Sequence, residues 1–427
     1  MNSIKKLWCR TFQTGLRLAL PLLPYRSPRV LDSIDALPNL LREKNISRVL
    51  LVTDRGIRSH GITLPLERLL QRSGIACSVF DGTVANPTTE NVENARQLYL
   101  LENCQAIIGL GGGSSIDCAK AVGARIARPR KSLEKMGGIL KVNLPLPLLI
   151  AIPTTAGTGS ETTLAAVITD SVTRHKYPIN DFPLIPRVAV LDPALTRSLP
   201  PFITATTGMD ALTHATEAYI GRSTTASTRR DALESVALIF RSLDAAVEDG
   251  GDMDARRDML RAAFLAGRAF SKSYVGYVHA MAHALGGRYN TPHGLANAIL
   301  LPDVLESYGG AVHNKLKNLA VAAGLADSST PDSEAAAAYI AALRGMKKRY
   351  GVPDTVSALR REDIPQLARW AEREANPLYP VPVLWGTEEL EDMYKSVLEE
   401  ENHGENSDRS SGAEPERVFP QRRDAAC

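Results

Sequence analysis

Five short aliphatic runs between residues 47 and 193 constrain this chain more than any other feature: SRVLLVTD (47–54), ACSVFDG (76–82), QAIIGLGG (105–112), PLLIAIPTT (147–155) and RVAVLDP (187–193). None alternates apolar with polar residues, as a half-exposed strand would, so each reads as a strand covered on both faces. Amphipathic stretches such as LPLERLLQRSG (64–74) and TENVENARQLYLLEN (89–103) separate them. Strands alternating with helices imply βαβ units and a mostly parallel sheet. After Pro200-Pro201 the pattern changes: GMDALTHATEAYI, DALESVALIFRSLDAAVED, ARRDMLRAAFLAGRAF and DSEAAAAYIAALRGMKKRYG all have helical periodicity, and no strand run follows. The expected organisation is a basic extension (1–26), an α/β domain (27–200), an all-helical domain (201–402) and a disordered tail (403–427). At 427 residues, more than one core is required.

Composition excludes several classes. A formal net charge of +3 gives no drive toward nucleic acid. Five scattered cysteines without a CxxC pair argue for a reducing compartment and against both a disulfide framework and a thiolate zinc site. Residues 1–31 hold six basic side chains and no acidic one. LALPLLPY is too short to span a bilayer and lacks the cleavage site of a secretory signal. The start of the chain reads as a helical extension packed on the body. A mitochondrial presequence and a membrane-surface helix are the alternatives. The expected location is cytoplasmic, or the mitochondrial matrix if the first 26 residues are a presequence.

Three stretches carry chemistry. In IIGLGGGSSIDCAK a strand runs into Gly109, Gly111, Gly112 and Gly113, and Ser114 and Ser115 then open a helix. Free N–H groups at such a start form a phosphate cradle, or the turn is simply a tight connection. The spacing is neither GxGxxG nor a Walker A loop. In AIPTTAGTGSETT, Thr154 and Thr155 end a strand and begin a loop of small hydroxyl residues, at the edge where open α/β sheets bind ligands.

The third stretch is in two parts. Asp210 and His214 are four residues apart in TATTGMDALTHATEAYI, as are His279 and His283 in VHAMAHAL, so each pair shares a helix face. His293 follows Gly286, Gly287 and Pro292, with Thr291 read as N-cap and Pro292 as first residue of a new helix. Asp210, His214, His279 and His293 would make a thiolate-free site suited to Fe²⁺, with Zn²⁺ as the alternative. His283 would be left over, one turn from a ligand. The opposing reading is three buried structural histidines.

GGGSSIDCAK, PTTAGTGSE, GMDALTHATEAY and HAMAHALGGRYNTPHGLANAILLP, in this order, resemble the signatures of the iron-containing (group III) alcohol dehydrogenases, over residues 27 to 398. The resemblance implies a dinucleotide-binding domain, a helical metal domain and a cleft between them. It implies the same four ligands, a pyrophosphate loop of Gly112, Gly113 and Ser114, and Thr154, Thr155 and Lys176 lining the cofactor. Asn86 would lie near the nicotinamide, Asp54 at the adenosine ribose and His283 by the reacting carbonyl. The expected activity is reversible hydride transfer between an alcohol and NAD, with a small alcohol or aldehyde as partner and a homodimer or larger homo-oligomer as assembly. A carboxylate at Asp54 would disfavour the 2′-phosphate of NADP. Ala165 stands where the lactaldehyde reductases of that family place an asparagine, which argues against a short 1,2-diol. Tyr274 and Tyr277 are expected to line the substrate pocket. A lyase resembling dehydroquinate synthase and a non-catalytic metal-binding protein are the competing readings.

Overall fold

In the computed structural model, which describes residues 1–399 except Arg174, the five aliphatic runs become five of the six strands of one sheet, and the run at 76–82 is a half-exposed edge strand rather than one covered on both faces. The strands of this sheet are β1 (Arg29–Leu31), β2 (Arg48–Asp54), β3 (Ala76–Thr83), β4 (Ala106–Gly111), β6 (Leu148–Pro153) and β9 (Val188–Val190), in the order β1-β9-β6-β4-β2-β3. Every pairing in it is parallel. The absence of alternation has a direct cause. Leu50, Val52 and Ile107 point to one face, against Cys118, Ala121 and Val122 of the Gly113–Ala127 helix. Val49, Leu51 and Ile108 point to the other, against Leu37, Leu41, Leu66 and Leu70.

A second sheet of β5 (Gly138–Ile139), β7 (Ala165–Thr169) and β8 (Lys176–Asn180), ordered β5-β8-β7, has no counterpart among the aliphatic runs. β7 and β8 alternate buried with less buried residues, and Pro178 sits inside β8. These short strands therefore lack the apolar continuity that marks the main sheet.

The last strand ends at Val190 and a 20-residue helix begins at Pro201. From there to Ser396 the described residues contain helices and no strand. Met209, Leu212 and Ala215 pack with Val236, Ile239, Ala262 and Ala266, so small side chains let the helices approach closely. The expected α/β half followed by a helical half is what the chain forms. The expected tail, 403–427, lies outside the described residues.

The N-terminal helix, Ser3–Ala19, is capped by Asn2, whose Oδ1 accepts from the Lys5 N–H at 2.9 Å. It lies on the helical half: Arg10 donates to the Val381 and Pro382 carbonyls at 2.7 and 2.8 Å, and Gln13 to that of Tyr379 at 2.7 Å. No helix among the described residues is long and apolar enough to cross a membrane.

Candidate metal centre and cofactor cleft

The strand order places a switch point at β2, which has β3 on one side and β4 on the other. Loops leaving the carboxyl ends of strands at such a point face a common crevice. Asp54 ends β2, the glycine turn follows β4, and Thr154 and Thr155 follow β6. Asp54 Oδ1 caps the Arg55–Ser59 helix through the Ile57 N–H at 2.9 Å, and Oδ2 accepts from Ser115 Oγ at 3.2 Å. Its charge thus stands beside the glycine turn.

Gly112 is the N-cap of the Gly113–Ala127 helix and has no side chain to satisfy the first N–H groups. Gly111 adopts φ 145°, and a Cβ there would lie 2.6 Å from Ser115 Oγ. A Cβ on Gly112 would meet nothing nearer than Thr155, at 3.8 Å. Buried Thr154 keeps an unpartnered Oγ1. Unsatisfied helix-start donors, an open glycine surface and an orphaned hydroxyl fit a dinucleotide pyrophosphate.

The loop after β6 joins the two halves. A Cβ on Gly157 would lie 2.7 Å from Thr207, and one on Gly159 would lie 2.6 Å from the Cα of Gly267. Glycine is needed at both contacts because backbone meets helix directly. Across the cleft, Lys176 Nζ donates to Asn86 Oδ1 at 2.7 Å, and Asn86 Nδ2 to Asn290 Oδ1 at 3.4 Å. Burial lowers the Lys176 ammonium, against the charges of Asp117 and Glu374.

On the helical side, Asp210, His214, His279 and His293 each offer a ligand atom, and the four atoms lie within 4.8 Å of one another. Asp210 and His214 come from the Pro201–Ile220 helix, His279 from Tyr277–Tyr289 and His293 from the start of His293–Tyr308. Burial depresses all three imidazoles, His279 well below the ordinary range and His293 to about 4. Neutral imidazoles are the form that coordinates a metal. Asn297 Nδ2 sits amid the cluster, 2.7 Å from Asp210 Oδ1, 3.2 Å from His279 Nε2 and 3.1 Å from His293 Nε2. A donor held by three ligand atoms marks a place that attracts positive charge, which fits a divalent cation.

Two glutamates complete the arrangement, and neither was singled out from the sequence. Gly276 is the N-cap of the Tyr277–Tyr289 helix and cannot cap it. Glu217 does so from a neighbouring helix, accepting from the Gly276 and Val278 N–H groups at 2.9 Å each and from His279 Nδ1 at 2.6 Å. His279 Nε2 is thereby turned toward the other ligands. Burial pushes the Glu217 carboxyl up to about 7, opposed by those backbone donors.

The second, Glu374, accepts from His283 Nδ1 at 2.6 Å and from the Tyr379 hydroxyl at 2.8 Å. His283 stacks on His293, with ring centroids 5.1 Å apart. Burial alone would lower the His283 imidazolium, but the Glu374 charge and hydrogen bond outweigh it and hold its pKa above the usual value. The His283 side chain is 43% exposed and lies beside His293, near the Lys176 charge. Glu217 lies in the quoted TATTGMDALTHATEAYI, three residues after His214, and that spacing was its only signal.

Two expectations need correction. Pro292, not Thr291, is the N-cap of the helix that His293 opens, and no side chain caps it. The preceding Asn290 turns the chain at φ 55°, which leaves Thr291 outside the helix start. Tyr277 is fully buried, stacked on Trp385 at 5.0 Å with its hydroxyl 3.0 Å from Asn376 Oδ1, and belongs to the core rather than a pocket. Tyr274 is the C-cap of the Met253–Ser273 helix at φ 62°.

Comparison with known proteins agrees with this geometry. Residues 30–193 match the family model described as iron-containing alcohol dehydrogenase, and residues 204–398 the C-terminal model of the Fe-containing alcohol dehydrogenase family. The 1,3-propanediol dehydrogenase of Klebsiella pneumoniae is 37% identical over 361 residues, 84% of this chain and 92% of that protein. A crystal structure of 1,3-propanediol oxidoreductase superposes with a TM-score of 0.84 at 34% identity, covering 88% of this chain and 99% of that one. Sulfoacetaldehyde reductase from Bifidobacterium kashiwanohense, solved in complex with NAD⁺, gives 0.77 at 28% identity, over 87% and 98%.

Proposed function

Because this chain belongs to the iron-containing alcohol dehydrogenase family, we propose that Asp210, His214, His279 and His293 hold its metal and that the carboxyl edge of β2, β4 and β6 holds its nicotinamide cofactor. The protein is an NAD-linked alcohol dehydrogenase and aldehyde reductase. Its cofactors are NAD and iron. The observation that carries the site assignment is the meeting of four ligand atoms within 4.8 Å, drawn from three helices.

When bound, the divalent ion polarises the carbonyl and NAD gives or takes the hydride. The rest is done by side chains of the chain. Gly112, Gly113 and Ser114 would cradle the pyrophosphate, and Thr154 and Thr155 would offer it hydroxyls. Asp54 accepts from the adenosine ribose. Lys176 and Asn86 fix the nicotinamide end, held to each other at 2.7 Å. Glu217 holds His279 in one tautomer. His283, gripped at Nδ1 by Glu374, presents Nε2 to the cleft and carries the proton that the substrate oxygen gains or loses. We read residues 27–200 as the cofactor unit and 201–402 as the metal unit, since the last strand ends at Val190 and the helices start at Pro201. We place the protein in the cytoplasm, because the acid-free first helix lies docked on residues 372–382.

A panel of aldehydes with NADH and added Fe²⁺ or Zn²⁺, followed at 340 nm, tests the assignment. Metal-dependent NADH oxidation is expected. Metal-independent turnover would remove the four residues from the reaction.

A further inference from the structure

The N-terminal helix is mounted the wrong way round for a helix whose only task is to pack. Its buried positions are Cys9 and Gln13, and Arg10 spends its guanidinium on two backbone carbonyls. Its most apolar side chains face outward. Ile4 is 82% exposed, Leu7 69%, Trp8 59% and Leu18 73%, and Leu22 in the following turn is 86% exposed. At 100° per residue these fall on one side of the helix, opposite Cys9 and Gln13, with only Thr11 and Gly15 between them. A surface helix normally turns this face to the core.

The electrostatics are one-sided as well. The helix carries Lys5, Lys6, Arg10 and Arg17 and no acidic residue. Lys5 pairs with Glu372 and Arg10 is taken by carbonyls, whereas Lys6 and Arg17 are exposed with neither an ion pair nor a side-chain hydrogen bond among the described residues. An outward apolar stripe edged by a tryptophan, on a helix whose two uncompensated cations lie on one flank between the stripe and the packed side, matches a helix lying in a lipid interface. An anionic surface complements the charge, and the cytoplasmic leaflet is of that kind.

We propose that the Ile4–Leu7–Trp8–Leu18–Leu22 stripe docks the enzyme on an anionic lipid surface, with the body held above it through Arg10, Gln13 and Lys5. The stripe contains none of the residues assigned to the cleft, so it governs where the enzyme works and leaves the chemistry unchanged.

The test is co-sedimentation of the full chain with vesicles of phosphatidylcholine alone or mixed with phosphatidylserine. The chain should pellet with the mixed vesicles, release in high salt, and bind the neutral ones weakly. Leu7→Glu with Leu18→Glu should cut the bound fraction about tenfold or more, since the apolar insertion is lost. Lys6→Glu with Arg17→Glu should reduce binding to mixed vesicles about tenfold and abolish the salt effect. Both variants should keep the parent's melting temperature and its turnover of a water-soluble aldehyde, because every changed side chain is exposed. The proposal is overturned if the parent binds neither vesicle or if the Glu variants bind like the parent. It also falls if light scattering shows Leu7→Glu with Leu18→Glu splitting a dimer, for then the stripe is covered by a second copy.

Discussion

Glu374 shows most clearly what a single side chain contributes here. Its carboxylate fixes Nδ1 of His283, so removing it frees the ring to rotate and to exchange tautomers. Glu374→Ala should lower kcat by roughly 10- to 100-fold with metal retained. Glu374→Gln, which keeps an acceptor, should recover most of that loss. Steady-state kinetics at parental rate for the Ala variant would remove Glu374 from the reaction. Asp54 allows a second test. Asparagine caps helices as well as aspartate does but carries no charge. Asp54→Asn should therefore leave stability nearly unchanged while narrowing the preference for NADH, chiefly through a lower KM for NADPH, because a like charge no longer faces the 2′-phosphate. An unchanged NADPH KM would contradict that role. That Asp210 and His214 share a helix face was legible from their i, i+4 spacing, and the structure brings His279 and His293 beside them as the four residues proposed to hold the metal. Glu217, Glu374 and Asn297 were not, because each acts on a residue of another helix or across a packing interface that no local period encodes.

At the level of elements, the inner strands β2, β4, β6 and β9 were readable because both their faces are buried, whereas β7 and β8 are short and alternate. Tyr277 was misjudged for a related reason: its position next to a ligand in sequence says nothing of the Trp385 ring it stacks on. The loop after β6 makes two predictions. A Cβ on Gly267 would clash with Thr162 Oγ1 and lie 2.8 Å from the Gly159 carbonyl, so Gly267→Ala should destabilise by about 1–3 kcal/mol and displace the loop from the cleft. Wild-type stability and KM for NADH in that variant would show the contact to be slack. Glu161, in the same loop, is buried near Lys120, and burial pushes its carboxyl up to about 7. A carboxyl raised above its unfolded value stabilises fully below about pH 4.5 and loses that contribution as pH rises through 7. Between those values the parent's melting temperature should fall relative to Glu161→Gln. Parallel curves would mean that Glu161 is ionised throughout.

Across the whole molecule, neither half is sufficient. The α/β half holds the glycine turn proposed as the pyrophosphate cradle and the helical half the four proposed ligands, and the Gly157–Thr207 contact and the Lys176–Asn86–Asn290 chain bring them together. The change from strands to helices between Val190 and Pro201 was visible in the sequence as a change of period, but the approach of the two halves was not, since it depends on glycines that look like ordinary loop residues. Because the ligands belong to a large helical core, losing one should empty the site without unfolding the chain. The most direct test is the metal-to-protein ratio, measured by mass spectrometry after anaerobic loading with Fe²⁺ and desalting, for the parent and for His279→Ala. A single ion per chain in the parent and almost none in the variant, with the same circular dichroism melt, is the predicted result. Equal occupancy in both would contradict the assignment of the metal centre.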